Sequence, residues 1–388
     1  MKHNWEYKQL GEIGVILTGS TPSTSVKEYY DQSDYMFVKP GDIEESGITY
    51  LKASETYISE LAFNTASRKL PKHSVLVTCI GTIGKVGILQ QEATCNQQIN
   101  AIIPAADNIY YKYLAYAISS IKSFLISKKN GPVVPIINKT QFSKFKIPVP
   151  PMEVQEQIVA ELDKINETIE DCRELLRNLD ALAQSLFYDT FGDPITNPKG
   201  WPIDKLGNLL IIERGGSPRP IKEYITQDED GINWIKIGDA NSSMYISSTK
   251  EKIKPSGKSK SRFVKPGDFI LSNSMSFGRP YIMNTYGCIH DGWLLLRDNN
   301  NFFNKIYLYY CLNSKSIYSE FERLVRTGTV SNLNSDIVRG VKIPVPPLAH
   351  QEKFAERIEQ IEAQKKAVEQ TIAELQTLLD SRMDYWFN

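Results

Sequence analysis

The chain has 388 residues, 41% of them hydrophobic, and its 45 Lys and Arg are balanced by 45 Asp and Glu, so it has room for two ordinary domains and no net charge to attract a polyanion. It contains no run of about 18 apolar residues, and Met1-Lys2-His3-Asn4 opens without an apolar signal core, which predicts a soluble, cytoplasmic protein with no membrane partner. Its five cysteines, Cys79, Cys95, Cys172, Cys288 and Cys311, and its four histidines are scattered without zinc spacing, so no structural metal is expected.

From the start of the chain the apolar runs are short and rich in β-branched or aromatic residues: Met36 to Val38, Val75 to Cys79, Val86 to Leu89. Gly, Pro, Asn and Asp punctuate them, which reads as strands and turns. A longer stretch with interleaved tyrosines, Ile109 to Ile126, reads as helix. Lys146-Ile-Pro-Val-Pro-Pro151 then closes the first 150 residues. Prolines lack a donor and push the preceding residue into extended conformation, so Lys146 to Val149 is expected to end a strand and a helix to start just after Pro151.

That helix is expected over Val154 to Phe191, with Glu153 and Glu156 in its positive first turns and Gly192-Asp193-Pro194 as its stop. Ile158, Leu162, Ile165, Ile169, Cys172, Leu176, Leu179, Ala183 and Leu186 recur by four and three, the narrow seam of a coiled coil. A helix of roughly 55 Å, at about 1.5 Å per residue, with a single narrow seam needs a partner.

The second half supplies it, because the chain repeats. Trp201 answers Trp5, Leu206-Gly207 answers Leu10-Gly11, Gly215 answers Gly19, Pro218 answers Pro22, Asn334 answers Asn138 and Lys342-Ile-Pro-Val-Pro-Pro347 answers the first proline cluster, all 196 residues on. Gly278-Arg279 answers Gly84-Lys85, and Trp234-Ile-Lys-Ile-Gly-Asp239 answers Phe37-Val-Lys-Pro-Gly-Asp42. Strands are expected at Ile232 to Ile237, Phe269 to Leu271 and Trp293 to Leu296, and a helix at Phe302 to Leu324. A second long helix follows Gln351-Glu352, with the seam Phe354, Ile358, Ile361, Lys365, Val368, Ile372, Leu375 and Leu379, in which Lys365 is a charged break. The expected fold is α+β. Two duplicated domains, each a small twisted, mostly antiparallel sheet with helices, occupy residues 1–150 and 193–346. Two long helices at 151–192 and 347–388 form an antiparallel coiled coil.

Cutting the chain at these boundaries segregates its charge. Residues 1–150 hold 16 Lys and Arg against 12 acids and residues 192–347 hold 21 against 15, whereas 151–191 hold 3 against 10 and 348–388 hold 5 against 8. Basic globular halves with acidic helices fit a polyanion held by the former and a protein faced by the latter, although acidic helix faces can also be merely solvated.

Candidate contacts follow the charge. Gly81-Thr-Ile-Gly-Lys85 lacks the spacing and the trailing Ser or Thr of a nucleotide phosphate loop; it reads as a tight turn that presents Lys85, and Arg279 in the repeat, or as a plain hairpin. Lys250, Lys252, Lys254, Lys258, Lys260, Arg262 and Lys265 crowd a stretch with the single acid Glu251, a basic loop suited to a phosphate backbone or simply solvated. Arg68, Lys69 and Lys72 lie in the matching region of the first half, and Lys128-Lys129 pairs with Arg323 and Arg326. Asn96-Gln97-Gln98 and His290-Asp291 could read base edges or bond locally. No methylation, helicase or nucleophile motif is present, so no enzyme is expected.

Two diverged halves separated by Ile-Pro-Val-Pro-Pro-x-x-x-Gln-Glu helices, the first ending Phe187-Tyr-Asp-Thr-Phe-Gly-Asp-Pro194, resemble the specificity subunits of type I restriction-modification systems. Gly19-Ser-Thr-Pro22 and Gly216-Ser-Pro218 belong to the same resemblance; Met275, standing where the first copy has Gly81, departs from it. The resemblance implies that each half is a target recognition domain reading one block of a split DNA sequence. It implies that the helices space the domains and dock two methyltransferase subunits, to which restriction subunits are added. The subunit itself would hold no cofactor; its partners would bring S-adenosylmethionine, ATP and magnesium. Lys85, Arg279, Arg68, Lys69, Lys72, Arg219, Lys258, Lys260, Arg262, Lys128 and Arg326 are then expected to contact double-stranded DNA. Ile158, Leu162, Ile165, Ile169, Leu176 and Leu179 are expected to pair with Phe354, Ile358, Ile361, Val368, Ile372 and Leu375. The rival reading is a coiled-coil scaffold whose basic domains bind protein or RNA.

Overall fold

A computed structural model describes residues 5–105, 108–127, 136–241, 243–273, 277–327 and 332–387. The chain divides into two units, residues 1–173 with 370–388, and residues 174–369. Both long helices, Met152–Phe191 and Leu348–Phe387, cross the boundary, so each unit contains one globular domain and one end of each helix.

The two domains share a sheet order. In unit 1 a five-stranded sheet runs Gly14–Thr18, Ile99–Pro104, Val75–Thr78, Val86–Leu89, Ile48–Leu51; in unit 2 it runs Ile211–Arg214, Trp293–Arg297, Phe269–Ser272, Pro280–Met283, Tyr245–Ile246. The edge strand is parallel to its neighbour in both, and the other pairings are antiparallel. A second sheet in each unit is built on a parallel pair, Tyr35–Val38 with Ala93–Cys95 and Ile232–Ile235 with Gly287–Ile289. The strands alternate between the two faces, and both faces of the five-stranded sheet are covered: Val75, Val77 and Ile102 point to the helices, Leu76 and Ala101 to the second sheet. Each half is therefore two sheets with a helical layer, where the sequence suggested a single sheet. The helical stretches are also each broken in two, at Ile121 and at Asn313-Ser314. Ser314 makes the second break by accepting from the Ile317 N–H and donating to the Cys311 carbonyl.

Both domains are closed by a two-stranded ribbon that joins the start of the domain to its proline cluster: Glu6–Gln9 with Lys146–Val149, and Ile203–Lys205 with Lys342–Pro344. The tyrosine on the domain's helix fixes each ribbon, Tyr113 donating to the Pro148 carbonyl and Tyr307 to the Pro344 carbonyl, both at 2.9 Å. The Gln of the Gln-Glu pair then locks the long helix to the domain. Gln155 accepts from Tyr110 N–H at 2.9 Å and donates to the Pro150 and Asn108 carbonyls; Gln351 accepts from Asn304 N–H at 2.8 Å and donates to the Pro346 and Phe302 carbonyls. Both amides are fully buried, so these bonds satisfy groups that water cannot reach.

Within each unit the helix ends run antiparallel. In unit 2 Asp180 meets Lys365 while Phe187 and Phe191, further along the first helix, meet Phe354, earlier on the second. Lys365, the charged break in the seam, bonds Asp180 at 2.7 Å and Glu362 at 2.9 Å, so the position is polar but satisfied. In unit 1 Glu161 accepts from Arg382 and from Trp386 Nε1 at 2.9 Å, and Phe387 packs on Tyr113 as Phe191 packs on Tyr307. Ile158, Leu162, Ile165, Ile169, Leu179, Phe354, Ile358 and Ile361 are buried; Leu176, Val368, Ile372 and Leu375 are half-exposed. The seam is thus tightest where a domain covers it and open between.

The Arg382 guanidinium, with the Trp386 indole, holds the Glu161 carboxyl below its usual range against the opposing effect of burial. A depressed carboxyl stabilises the fold above its unfolded pKa, and that contribution disappears as pH falls through the folded value. Acidification below the ordinary Glu range is therefore expected to loosen the end of the second helix. The readout is Trp386 fluorescence, as the difference from Trp386→Phe; Glu161→Gln should show the loosened signal already at neutral pH.

Candidate nucleic-acid interface

In each unit the first strand of the main sheet ends at a glycine that leans on the turn after the second sheet. Gly19 N–H donates to the Ile99 carbonyl and Gly215 N–H to the Trp293 carbonyl. A Cβ on Gly19 would lie 2.1 Å from the Asn96 carbonyl oxygen, and one on Gly215 2.2 Å from that of His290, so no other residue fits. Arginines hold the carbonyl just before each glycine, Arg68 Nη1 donating to Thr18 at 2.6 Å and Arg262 Nε to Arg214 at 3.4 Å. Just beyond, Thr21 donates its hydroxyl to Gln97 Oε1, and Ser217 donates to Asp291 Oδ1 at 2.7 Å.

In unit 2 this loop carries the densest positive charge. Arg219 is 83% exposed with Nη2 3.8 Å from Asp291 Oδ2, and Arg214 Nε donates to the Asp291 carbonyl at 3.3 Å. The basic stretch is a 3-10 turn, Pro255–Lys260, between two strands, where the sequence suggested a flexible loop. Its cations are set on rings, the Lys258 ammonium 3.9 Å over Phe263 and the Lys260 ammonium 4.9 Å over Tyr224. Lys236 neutralises Glu251, the lone acid. Lys250, Lys254, Lys258, Lys260, Arg262 and Lys265 are exposed; Arg262 also lies 3.4 Å from Glu213. Phosphates would meet a row of cations already stripped of part of their freedom.

Unit 1 is sparser. Lys69 bonds Asn64 at 2.6 Å and sits over Phe63, and Lys72 is exposed. Asn96 is buried and bonded to Gln98, which supports the local reading for those two amides, whereas Gln97 is exposed. In unit 2, Arg326 is exposed beside Glu322 at 3.9 Å. Lys128 and Met275 lie outside the described residues.

The glycine hairpins are matched in detail. Gly84 and Gly278 both take positive φ, at 84° and 79°, and the Lys85 and Arg279 N–H groups donate to Thr78 Oγ1 and Ser272 Oγ, each at 3.0 Å. Their side chains differ. Lys85 turns its ammonium onto the Pro40 and Ile43 carbonyls at 3.2 and 2.8 Å, which supports a structural role in place of an outward cation. Arg279 is exposed beside an open cavity of about 850 Å³ lined also by Phe277, Tyr318 and Glu322. Lys85→Ala is therefore expected to cost about 1 to 3 kcal/mol of stability, the range for a charged hydrogen bond, with any loss of DNA affinity uniform across sequences. Arg279→Ala should leave stability within about 0.5 kcal/mol and weaken DNA binding. Urea melts and anisotropy titrations check both; equal behaviour of the two variants would refute the distinction.

Sequence reasoning passed over Arg214, Thr21 and Ser217. The Gly-Ser loops were visible as landmarks, but nothing local showed what their hydroxyls meet. Among the described residues no group of three or more His, Cys, Asp or Glu is placed to hold a metal ion, and no helix is long and apolar enough to cross a membrane.

The duplicated framework matches a known family. The family described as type I restriction modification DNA specificity domain matches residues 2–179 and again 198–377. The chain belongs to that family. It is 30% identical over 232 residues to the MjaIX type I specificity subunit of Methanocaldococcus jannaschii, covering 55% of this chain and 53% of that one. It is 31% identical over 185 residues to the HindI specificity subunit of Haemophilus influenzae, covering 44% and 40%, so these alignments span about half or less of the relatives' length. A third, the MjaVIII specificity subunit of M. jannaschii, is 22% identical over 92% of this chain and 86% of its own. Among solved structures, a chain of a type I restriction-modification system aligns with TM-score 0.65 at 21% identity, covering 98% of this chain and 96% of that one. The S subunit of such a system from M. genitalium aligns with TM-score 0.54 at 14%, covering 99% and 96%. These two likenesses concern the fold.

Proposed function

We propose that the chain is a DNA-binding specificity subunit of a type I restriction-modification complex, acting in the cytoplasm and without catalysis of its own. Each unit reads one block of a bipartite double-stranded DNA target. The long helices join the readers and dock two methyltransferase subunits, with restriction subunits added; those partners bring S-adenosylmethionine, ATP and magnesium.

The observation that carries this reading is one framework with two surfaces. The ribbon, the Tyr and Gln locks, the glycine approach and the arginine tether recur in both units, yet the side chains they hold out differ: Gln97 against Asp291, Thr18 against Arg214. A scaffold binding one partner twice would have no use for unlike faces; a reader of two unlike blocks requires them. A salt titration of duplex binding tests it. A protein neutralising several phosphates must lose affinity steeply, log K falling with log salt at about −0.9 per phosphate. A flat titration would return the chain to the scaffold reading, and failure of a methyltransferase to co-purify would remove the docking role.

A further inference from the structure

The matched loops differ at one place in a way that the framework does not need. The hydroxyl of Thr21 or Ser217 holds the residue that follows Asn96 or His290, an amide in unit 1 and a carboxylate in unit 2. A mere fastener would work equally with either. Both groups keep free hydrogen-bonding capacity. Gln97 is exposed, with Oε1 bound by Thr21 and no partner for Nε2 among the described residues. Asp291 has Oδ1 engaged by Ser217 and by His290 Nε2 at 2.9 Å, while Oδ2 faces the Arg219 guanidinium at 3.8 Å.

We propose that Gln97 and the Arg219–Asp291 pair are the base-reading side chains of their units. Arg219 with Asp291 reads a G·C pair in the block of unit 2, and Gln97 reads an adenine in the block of unit 1. The proposal rests on the DNA-reading function above. Arg donates two hydrogen bonds to guanine O6 and N7, and a carboxylate accepts from the cytosine amino group across the same pair, so one Arg–Asp couple covers a whole G·C step in the major groove. An amide matches adenine N6 and N7.

Electrostatics separates this from a phosphate role. A carboxylate on a surface that meets phosphates is repelled unless it faces a donor, and Asp291 has Arg214 Nε on its carbonyl and the Arg219 guanidinium before its Oδ2. Burial alone would raise its carboxyl; the Ser217 hydroxyl and the His290 and Arg214 charges bring it below the usual range, so it is ionised when DNA arrives. The Ser217 bond and the Asn273 amide on the Asp291 carbonyl at 2.9 Å fix its direction before binding.

The test is selection of duplexes from a randomised library by the full chain, then titration of single-base variants of the selected motif. Asp291→Asn and Arg219→Gln are each expected to lower discrimination at the same G·C pair by about ten- to a hundredfold and to leave the other block alone. Gln97→Ala should relax one A·T pair in that other block. Ser217→Ala, which removes only the hydroxyl that holds Asp291, should blunt the same G·C preference, and thermal melts show that each variant folds. An unchanged motif with uniformly weaker binding would place these residues on phosphate, and an unchanged motif with unchanged affinity would give them no role; either overturns the proposal while DNA reading stands. A wild-type chain that selects no motif overturns both.

Discussion

Ile358→Asp is expected to unfold unit 2. Ile358 is fully buried in the cluster that joins Phe187, Phe191, Tyr307 and Phe354, so the change forfeits about 1.5 to 3 kcal/mol of apolar burial. It also places a carboxylate inside an apolar cluster, which costs several kcal/mol more or forces the site open. Against a total stability of about 5 to 15 kcal/mol, that is most or all of it. Unit 1 has its own cores, around Leu10, Tyr113 and Ile158 and around Met36, Leu76 and Cys95, and should still melt cooperatively. Leu176→Asp is expected to be far milder, because Leu176 is half-exposed in the open part of the seam. Calorimetry decides: an Ile358→Asp chain that keeps both transitions, or one no worse than Leu176→Asp, would refute the view that the domains lock the seam.

From sequence alone the two positions were equivalent, since both fall on a 3.5-residue period. Periodicity finds the seam but not what else covers it, and here the covering layer comes from residues some 50 positions away in the chain, such as Tyr307. The same boundary recurs elsewhere. The proline clusters, the helix starts and the Gly192 stop were readable because prolines and positive-φ glycines act on their immediate neighbours; Gly192 has φ of 78° and its N–H closes on the Tyr188 carbonyl. The duplication was readable because the framework residues repeat at a nearly constant offset. The parallel pairings of Tyr35–Val38 and of Ile48–Leu51 were not, because a parallel partner lies beyond a crossover and leaves no local turn signal. Lys85 shows the limit for the site. A lysine after a glycine turn reads as an outward cation, and only the fold reveals two carbonyls waiting for it.

Exchange of residues 1–150 for the first domain of another family member is expected to change one block of the DNA target and leave the other block and the gap alone. The geometry favours such a graft, because the domain begins and ends on adjacent antiparallel strands, Glu6–Gln9 and Lys146–Val149, so both joints lie together. The Tyr113 bond to the Pro148 carbonyl travels with the insert, and Gln155 stays behind to accept a main-chain N–H that any donor supplies at the position of Tyr110. What the donor must match is the apolar surface that meets Ile158, Leu162 and Phe387 of the two helices. The gap should not respond, because each reader is fastened to continuous 40-residue helices that the exchange leaves in place. One base pair more would shift a block by about 3.4 Å and turn it by roughly a tenth of a turn, well outside the tolerance of a hydrogen bond of about 3 Å. Sequencing of modified bases in cells carrying the complete system reads out both blocks and the gap. Two altered blocks would mean that the units do not read independently, and a gap that varies among sites would mean that the helices do not hold them at one separation.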